Sequence, residues 1–174
     1  TPASDTVVIP PFSMFIGKGG NDIVDSSADG DYIICTLAGN DTITIGNGNF
    51  TINAANGNNI ITTGNGDGTV LTAQANDNIT TGDGVQTISA GTGNNTILTG
   101  DGDKTVTTGN AIDKVTTGSG NDVINAGGGI NTVKSGDGND TVTTGSSIDD
   151  IDGGADTDTC NAGGGLNTVV NCEA

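Results

Sequence analysis

The stretch KVTTGSGNDVI, Lys114 to Ile124, sets the rhythm of the whole chain. Val115 and Ile124 lie nine residues apart, separated by small, polar, glycine-rich sequence of the kind that is common in linkers and disordered tails. Cut into blocks of nine from residue 36, the chain keeps this spacing through residue 170 without an insertion or a deletion. A short period that is fixed over such a length predicts a repeat architecture and not a linker.

Each block of nine has the same internal pattern. Of the fifteen blocks, fourteen have Ile or Val at position eight, the exception being Cys160, and glycine occupies position two in twelve and position four in eleven. Positions seven to nine are predicted to form a short strand whose eighth residue points inward, while the glycines allow a tight turn. Because one strand cannot bury its own apolar face, two blocks should form an 18-residue coil, and stacked coils should enclose a narrow Ile/Val core.

The predicted fold class is therefore all-β, a parallel β-roll or β-solenoid with two nonapeptides per coil and a cap at each end. Residues 17–170 form the repeat region, in which Ser26 is one extra residue. Residues 1–16 contain the most apolar stretch and break the pattern, which predicts an N-terminal cap or a docking segment for another molecule. Residues 171–174 are predicted to be the C-terminal cap.

The charge of the chain narrows the classes of partner. Its net charge is −17, with only four basic residues, so that its surface repels nucleic acid and anionic membranes and attracts cations. No His or Arg is present, and no Ser or Cys has an evident activating partner, so we do not expect an enzyme. The opening TPASDT lacks an initiator Met, which predicts a mature protein exported to the extracellular space or cell surface through a cleaved leader.

The blocks between Gly17 and Val170 resemble the calcium-binding nonapeptide G-G-x-G-x-D-x-U-x of the RTX (hemolysin-type) family, whose members form parallel β-rolls. The resemblance implies Ca²⁺ as cofactor, bound between turns of successive coils by backbone carbonyls and by the Asp at position six. The ligands implied at position six are Asp22, Asp41, Asp77, Asp113, Asp122, Asp140, Asp149 and Asp158. Asp is also a common turn former, and this plainer interpretation stays open.

Position six departs from the family motif in several blocks. Asp122, Asp140 and Asp158 follow one another on one edge and predict two calcium sites. The four preceding coils of that edge lack the acid and carry Phe50, Gly68, Gln86 and Lys104. A lysine there should oppose a metal ion. On the other edge Asp and Asn alternate, which limits carboxylate repulsion, so we expect a partly calcium-loaded solenoid whose middle is held by side-chain hydrogen bonds and Asn ladders.

The cysteines near the C-terminus allow two interpretations. Cys160 and Cys172 either form a disulfide, which suits an exported protein, or remain two buried thiols, and their spacing does not decide between these. The ending GGADTDTCNAGGGLNTVVNCEA resembles the C-terminal end of RTX-like arrays in some exported bacterial proteins that carry a similar pair. The resemblance implies a bridge that closes the last coil.

Together these features predict a calcium-stabilised structural, adhesive or self-assembling surface or matrix protein, whose rods associate end to end or by strand addition. One alternative is a targeting or carbohydrate-binding module of a larger secreted protein. Another is an ice-binding (antifreeze) protein, which would use outward-facing threonines at position seven, although Thr suits any exposed strand. The threonines of this possible ice-binding face are Thr51, Thr69, Thr87, Thr105, Thr141 and Thr159.

Overall fold

The computed structural model describes residues 3–173, which form nineteen strands in two parallel sheets. Sheet A contains β1 (Thr6–Val7), β3 (Ile23–Ser26), β5 (Thr42–Ile45), β7 (Ile60–Thr62), β9 (Asn78–Thr81), β11 (Thr96–Thr99), β13 (Lys114–Thr116), β15 (Thr132–Lys134), β17 (Asp150–Asp152) and β19 (Thr168–Val170). Sheet B contains β2 (Ser13–Ile16), β4 (Tyr32–Cys35), β6 (Phe50–Ala55), β8 (Gly68–Thr72), β10 (Gln86–Gly91), β12 (Lys104–Thr108), β14 (Val123–Gly127), β16 (Thr141–Thr144) and β18 (Thr159–Asn161). Within residues 3–173 no helix is long and apolar enough to cross a membrane.

Successive strands alternate between the two sheets, so that every coil contributes one strand to each. Paired residues are 18 positions apart over most of the chain, as in the pairing of Val115 with Val133. The offset is 19 in β2–β4 and β3–β5, which is consistent with one extra residue near Ser26, and it is 17 in β1–β3. The predicted β-solenoid with 18-residue coils is confirmed, and ten strands at about 4.8 Å spacing give a rod roughly 43 Å long.

The core is the column of position-eight side chains between the two sheets. These residues are buried from Val24 to Ile151, while their neighbours in the strands face outward or lie partly covered. Val115 and Ile124 come from opposite sheets and are 0% and 1% exposed. The core ends where Cys160 is half-buried and Val169 is 42% exposed, so the last coil encloses little apolar volume.

Position four of the block fixes the turn. All fifteen residues at this position between residues 39 and 165 have positive φ angles, from 83° at Asp156 to 158° at Gly39. Side chains rarely adopt this backbone conformation, which explains why eleven of the fifteen are glycine. A Cβ added to Gly84 would also overlap the carbonyl oxygen of Gly66 in the preceding coil, so the close stacking of turns requires the glycine as well.

Both ends are incorporated into the solenoid. In the predicted N-terminal cap or docking segment, β1 pairs with β3 and β2 pairs with β4, so this segment lies on its own rod as the first coil. At the C-terminal end Cys160 and Cys172 form a disulfide. Cys35, at the end of β4, is a free thiol. Residues 1, 2 and 174 of the two predicted caps lie outside the described residues.

Candidate metal sites at the two edges of the solenoid

Position six lies at the first residue of a strand or immediately before it, and its side chains form one column along each edge of the rod. Edge A, the column at the N-terminal ends of the strands of sheet A, consists of Asp22, Asp41, Asn59, Asp77, Asn95, Asp113, Asn131, Asp149 and Asn167. Edge B, the column at the N-terminal ends of the strands of sheet B, consists of Tyr32, Phe50, Gly68, Gln86, Lys104, Asp122, Asp140 and Asp158. The coil geometry therefore brings the eight predicted calcium ligands into two columns, five on edge A and three on edge B.

The Oδ1 atoms of these side chains hold successive coils in register. On edge B the backbone N–H of Asp122 donates to Oδ1 of Asp140 at 2.8 Å, and the N–H of Asp140 donates to Oδ1 of Asp158 at 2.8 Å. On edge A the same ladder runs without interruption from the N–H of Asp5 to Oδ1 of Asn167. Asp and Asn serve equally here, since each offers a carbonyl-type acceptor to a buried backbone donor.

The Oδ2 atoms of the eight predicted ligands have no such partner. In each of the eight carboxylates Oδ2 is buried and makes no hydrogen bond with the described residues, and each of these side chains is at most 2% exposed. A buried polar oxygen without a partner costs about 1–3 kcal/mol, and more if it is charged. Hard anionic oxygens of this kind are the ligands that Ca²⁺ prefers, so the residues present fit the ion.

Burial also shifts the ionisation of these carboxyl groups. It raises the pKa of Asp41, Asp77, Asp113 and Asp122 above the usual value for Asp. It raises the pKa of Asp140 to about 6, and the neighbouring charges of Asp122 and Asp158 act in the same direction. A divalent cation beside these oxygens would favour the ionised form and reverse the shift.

The remaining ligands would have to come from the backbone. Within residues 3–173 no group of three or more His, Cys, Asp or Glu side chains is placed to hold a metal ion, because each coil contributes at most one position-six carboxylate to each edge. The turns supply further oxygens. On edge B the position-four carbonyls of Gly120 and Gly138 accept no hydrogen bond from the described residues. Carboxylate oxygens and free turn carbonyls together form a donor set suited to Ca²⁺.

Where edge B lacks the acid, other side chains fill the turn. The ammonium group of Lys104 donates to the carbonyls of Gly84, Asp101 and Gly102 at 2.7, 2.6 and 2.8 Å. One coil earlier, the amide of Gln86 donates to the carbonyls of Gly66 and Gly82 at 3.0 Å each and to that of Asp83 at 3.3 Å. Sequence reasoning predicted only that Lys104 opposes a metal ion, and the structure adds that its ammonium lies among the turn carbonyls.

The first coils of edge B are closed by aromatic rings. The hydroxyl of Tyr32 donates to the carbonyl of Ala28 at 2.8 Å. The ring of Phe50 fills the space beside Gly68, where an added Cβ would overlap it. Edge A fills alternate turns with amides instead, as where Nδ2 of Asn95 donates to the carbonyl of Gly93 at 2.9 Å.

Sequence reasoning missed one acidic residue at the C-terminal end of edge B. Glu173 accepts a hydrogen bond from the N–H of Asp158 at 2.6 Å, and its own N–H donates to the carbonyl of Asp158 at 2.8 Å. Its carboxylate therefore takes the place that the next position-six acid would have. It follows Asp158 by 15 residues and not by 18, so a search with a fixed period passes over it. The signal available was an acid within the predicted cap.

The threonines of the possible ice-binding face lie in one column of sheet B. The register aligns Thr51, Thr69, Thr87 and Thr105, then Val123, then Thr141 and Thr159, and all of these but the partly covered Thr69 are exposed. The column beside it is chemically mixed, with Asn53, Leu71 and Ser89 in register with one another. The structure thus contains one interrupted threonine row on this sheet and not two parallel rows.

Two parallel sheets of 18-residue coils with buried carboxylates along both edges define a β-solenoid of the calcium-binding type. The family described as RTX calcium-binding nonapeptide repeat (4 copies) matches residues 80–113, 100–133 and 134–169, and the chain belongs to this family. RTX-repeat solenoids are typically non-catalytic and bind Ca²⁺. No curated protein and no solved structure matches the chain at a significant level.

Proposed function

We propose that this chain is a non-enzymatic, calcium-stabilised rod that acts outside the cell as a structural, adhesive or self-assembling protein of a surface or matrix. One observation carries the proposal: eight buried carboxylates, arranged in two columns, each have one oxygen that finds no hydrogen-bond partner within residues 3–173. Without a cation this arrangement is costly, because it keeps carboxylates away from water and, from Asp122 to Asp158 on edge B, places like charges in successive coils. With Ca²⁺ the same groups become ligands, and the free energy of binding adds to the free energy of folding.

Three features support an extracellular setting. The Cys160–Cys172 disulfide is typical of oxidising compartments. The proposed calcium dependence also suits this setting, because calcium sites of extracellular modules have dissociation constants of about 10⁻⁴–10⁻³ M and need the calcium concentrations found outside cells. The net charge of −17 leaves the rod dependent on cations for its compact state.

The ends of the rod support self-association. Among the described residues β1, β2 and β19 have no further strand on their outer side, and Glu173 bridges to only one residue of β18, so these edges are templates for a further strand. The first coil exposes Phe12, Met14 and Ile16, and the last coil exposes Leu166 and Val170. Stacking the last coil of one copy on the first coil of another would continue both parallel sheets. Because this contact joins two different surfaces and does not close on itself, it builds filaments.

Sedimentation velocity of the purified chain in millimolar calcium and in excess chelator tests this proposal. We expect a compact rod or larger filaments with calcium, and a slower, expanded chain without it. The triple variant Asp122→Asn, Asp140→Asn, Asp158→Asn should respond less to calcium. A triple variant at exposed turn acids, Asp29→Asn, Asp31→Asn, Asp67→Asn, is the matched control because it loses the same charge. It should respond as the wild type does, since these side chains lie outside the two columns of buried carboxylates. Identical sedimentation of the wild type in both buffers would contradict the proposal.

Ice binding is a second candidate function, because the position-seven threonines share one face of sheet B. A row of hydroxyls at the coil spacing of about 4.8 Å can order water. Thermal hysteresis measured on the calcium-loaded protein distinguishes the two functions. Ice-growth inhibition that is lost in Thr87→Lys but kept when the exposed Thr96 of sheet A is replaced by Lys would favour ice binding. Its absence would leave the structural function.

A further inference from the structure

Lys104 is a buried lysine with an unusual set of partners. Its side chain is 1% exposed, and its ammonium group donates to three carbonyl oxygens at 2.6–2.8 Å, those of Gly84, Asp101 and Gly102. All three ammonium hydrogens are thereby used. Among the described residues no carboxylate oxygen lies within 4.0 Å of Nζ of Lys104. Within that distance the only lysine–carboxylate pair in residues 3–173 is Lys134 with Asp152. Backbone dipoles of two successive turns, and not an ion pair, therefore receive the charge.

The same turn recurs 36 residues later with the opposite charge. Shifted by that distance, the three carbonyls belong to Gly120, Asp137 and Gly138, and the place of Lys104 is taken by Asp140. There the carbonyls of Gly120 and Gly138 accept no hydrogen bond from the described residues, and Oδ2 of Asp140 has no partner. The repeat thus presents one carbonyl cradle that is occupied by an attached cation and an equivalent one that contains only acceptors.

The charges of the two turns become equal if the second one binds calcium. A turn that holds one carboxylate and one Ca²⁺ carries a charge of −1 + 2 = +1, which is the charge of the Lys104 ammonium. Gln86 provides a neutral version one coil earlier, because its amide donates to turn carbonyls of its own coil and of the preceding coil. Edge B therefore changes in chain order from a neutral donor to a cationic donor and then to carboxylates.

We propose that Lys104 is a built-in replacement for a calcium ion: its ammonium occupies the cation position of the RTX turn, and Gln86 occupies the preceding one. On edge B, residues 81–107 then form a metal-independent segment from which the calcium-binding coils continue. This inference rests on the proposed function, since it assumes that the carboxylate coils bind calcium. It also predicts that the site can be converted, because replacing the lysine by the family's Asp restores the ligand of an otherwise complete cradle.

The conversion is tested by counting bound calcium in Lys104→Asp, Lys104→Gln and the wild type by equilibrium dialysis with radioactive calcium. Lys104→Asp should bind at least one ion more than the wild type, because its carboxylate extends the column of Asp122, Asp140 and Asp158. Lys104→Gln should bind the wild-type number, because the glutamine repeats the arrangement of Gln86. Far-UV circular dichroism of each loaded sample shows whether the variant is folded.

A folded Lys104→Asp that binds no additional calcium would overturn the assignment. If that variant does not fold, hydrogen exchange of the wild type in chelator decides. Exchange of the amides of residues 84–106 that is as fast as that of residues 120–158 would overturn the assignment. Slower exchange of residues 84–106 would support it. The two proposals fail separately. A wild type that binds no calcium contradicts the proposed function, whereas a wild type that binds calcium beside a folded Lys104→Asp that gains none contradicts only the role of Lys104.

Discussion

Two stretches of edge B, around Gln86 and Lys104 and around Asp122 to Asp158, have the same backbone and different chemistry. Both stack 18-residue coils, and both bury Ile or Val at position eight. The Oδ1 ladder of the second stretch begins where the N–H of Lys104 donates to Oδ1 of Asp122 at 2.7 Å, whereas the N–H of Gln86 donates to the carbonyl of Asp103 at 3.1 Å. They differ in what lies among the turn carbonyls. In the first stretch the side chains of Gln86 and Lys104 donate hydrogen bonds to the turn carbonyls. In the second stretch the carboxylate oxygens and the turn carbonyls are all acceptors, and we propose that a cation from solution binds between them.

The comparison leads us to propose that the solenoid requires a filled turn, which calcium provides in only some coils. At position six a side chain either presents an acceptor to the backbone of the preceding coil or packs in the turn, as the ring of Phe50 does beside Gly68. An amide provides both an acceptor for that backbone and a donor for the turn carbonyls, as at Asn59, whose Oδ1 accepts from Asp41 and whose Nδ2 donates to Gly57. An Asp side chain provides the acceptor but no donor for the turn carbonyls. We therefore expect calcium dependence to vary along one rod according to a single position of the repeat.

The largest expected difference between the two stretches appears when calcium is removed. In chelator, amides of residues 120–158 should lose at least about a hundredfold of their hydrogen-exchange protection. Three unpaired carboxylates at about 1–3 kcal/mol each cost on the order of 3–9 kcal/mol there. Amides of residues 84–106 on edge B should change less than about tenfold. Hydrogen exchange read by mass spectrometry, with and without calcium, measures both.

The calcium-loaded protein is the reference for this measurement. Magnesium at the same concentration serves as a control for ionic strength and divalent charge, because Mg²⁺ requires a smaller, octahedral set of ligands. Equal loss of protection in the two stretches would show that the whole rod depends on calcium and would contradict the proposed difference between them.

Much of this fold was predictable because the position-eight residues and the turn glycines repeat with one period. Burial of Val115 and Ile124 from opposite sheets follows from that period and from the inability of one strand to bury its face. The eight carboxylates were also found by spacing. The period determines which residues share an edge, so the amino-acid sequence alone places Asp122, Asp140 and Asp158 in one column.

The parts that sequence reasoning missed depend on side-chain reach and on departures from the period. The contacts of Lys104 require that its flexible side chain turns back into the turn of its own coil, and spacing does not give its direction. Glu173 breaks the period by three residues and completes a column that a repeat search ends at Asp158. The first coil was ambiguous because its pairings are offset by 17 and 19 residues.

The Cys160–Cys172 disulfide should stabilise the carboxylate-rich end, which lacks a further coil. Cys172→Ser is expected to lower the free energy of unfolding in calcium by about 3 kcal/mol, since the bridge closes a short loop with a sequence separation of 12. Urea denaturation measures this change. The matched control is Cys35→Ser at the free thiol, which should change stability by less than about 1 kcal/mol. Equal effects of the two substitutions would show that the bridge does not hold the last coil.

Asp140→Asn gives the finest test, because it converts one turn of the second stretch to the amide type already present on edge A. In chelator the variant should be more stable than the wild type by about 1–3 kcal/mol, since the amide keeps the Oδ1 acceptor and can donate to the turn carbonyls, as Nδ2 of Asn131 does to Gly129 at 3.2 Å. In calcium the sign should reverse, with at least one ion fewer bound. Urea denaturation in both buffers measures this, and Asp67→Asn at an exposed turn position is the control.

The pH dependence of this gain identifies its cause. Burial raises the pKa of Asp140 to about 6 from 3.8, so in chelator the buried charge destabilises the wild type above pH 6 and not below pH 3.8. The advantage of Asp140→Asn should therefore be complete at pH 7 and decline as the pH falls through about 6. An advantage that is independent of pH between 7 and 5 would mean that hydrogen bonding by the new amide, and not removal of a buried charge, stabilises the turn.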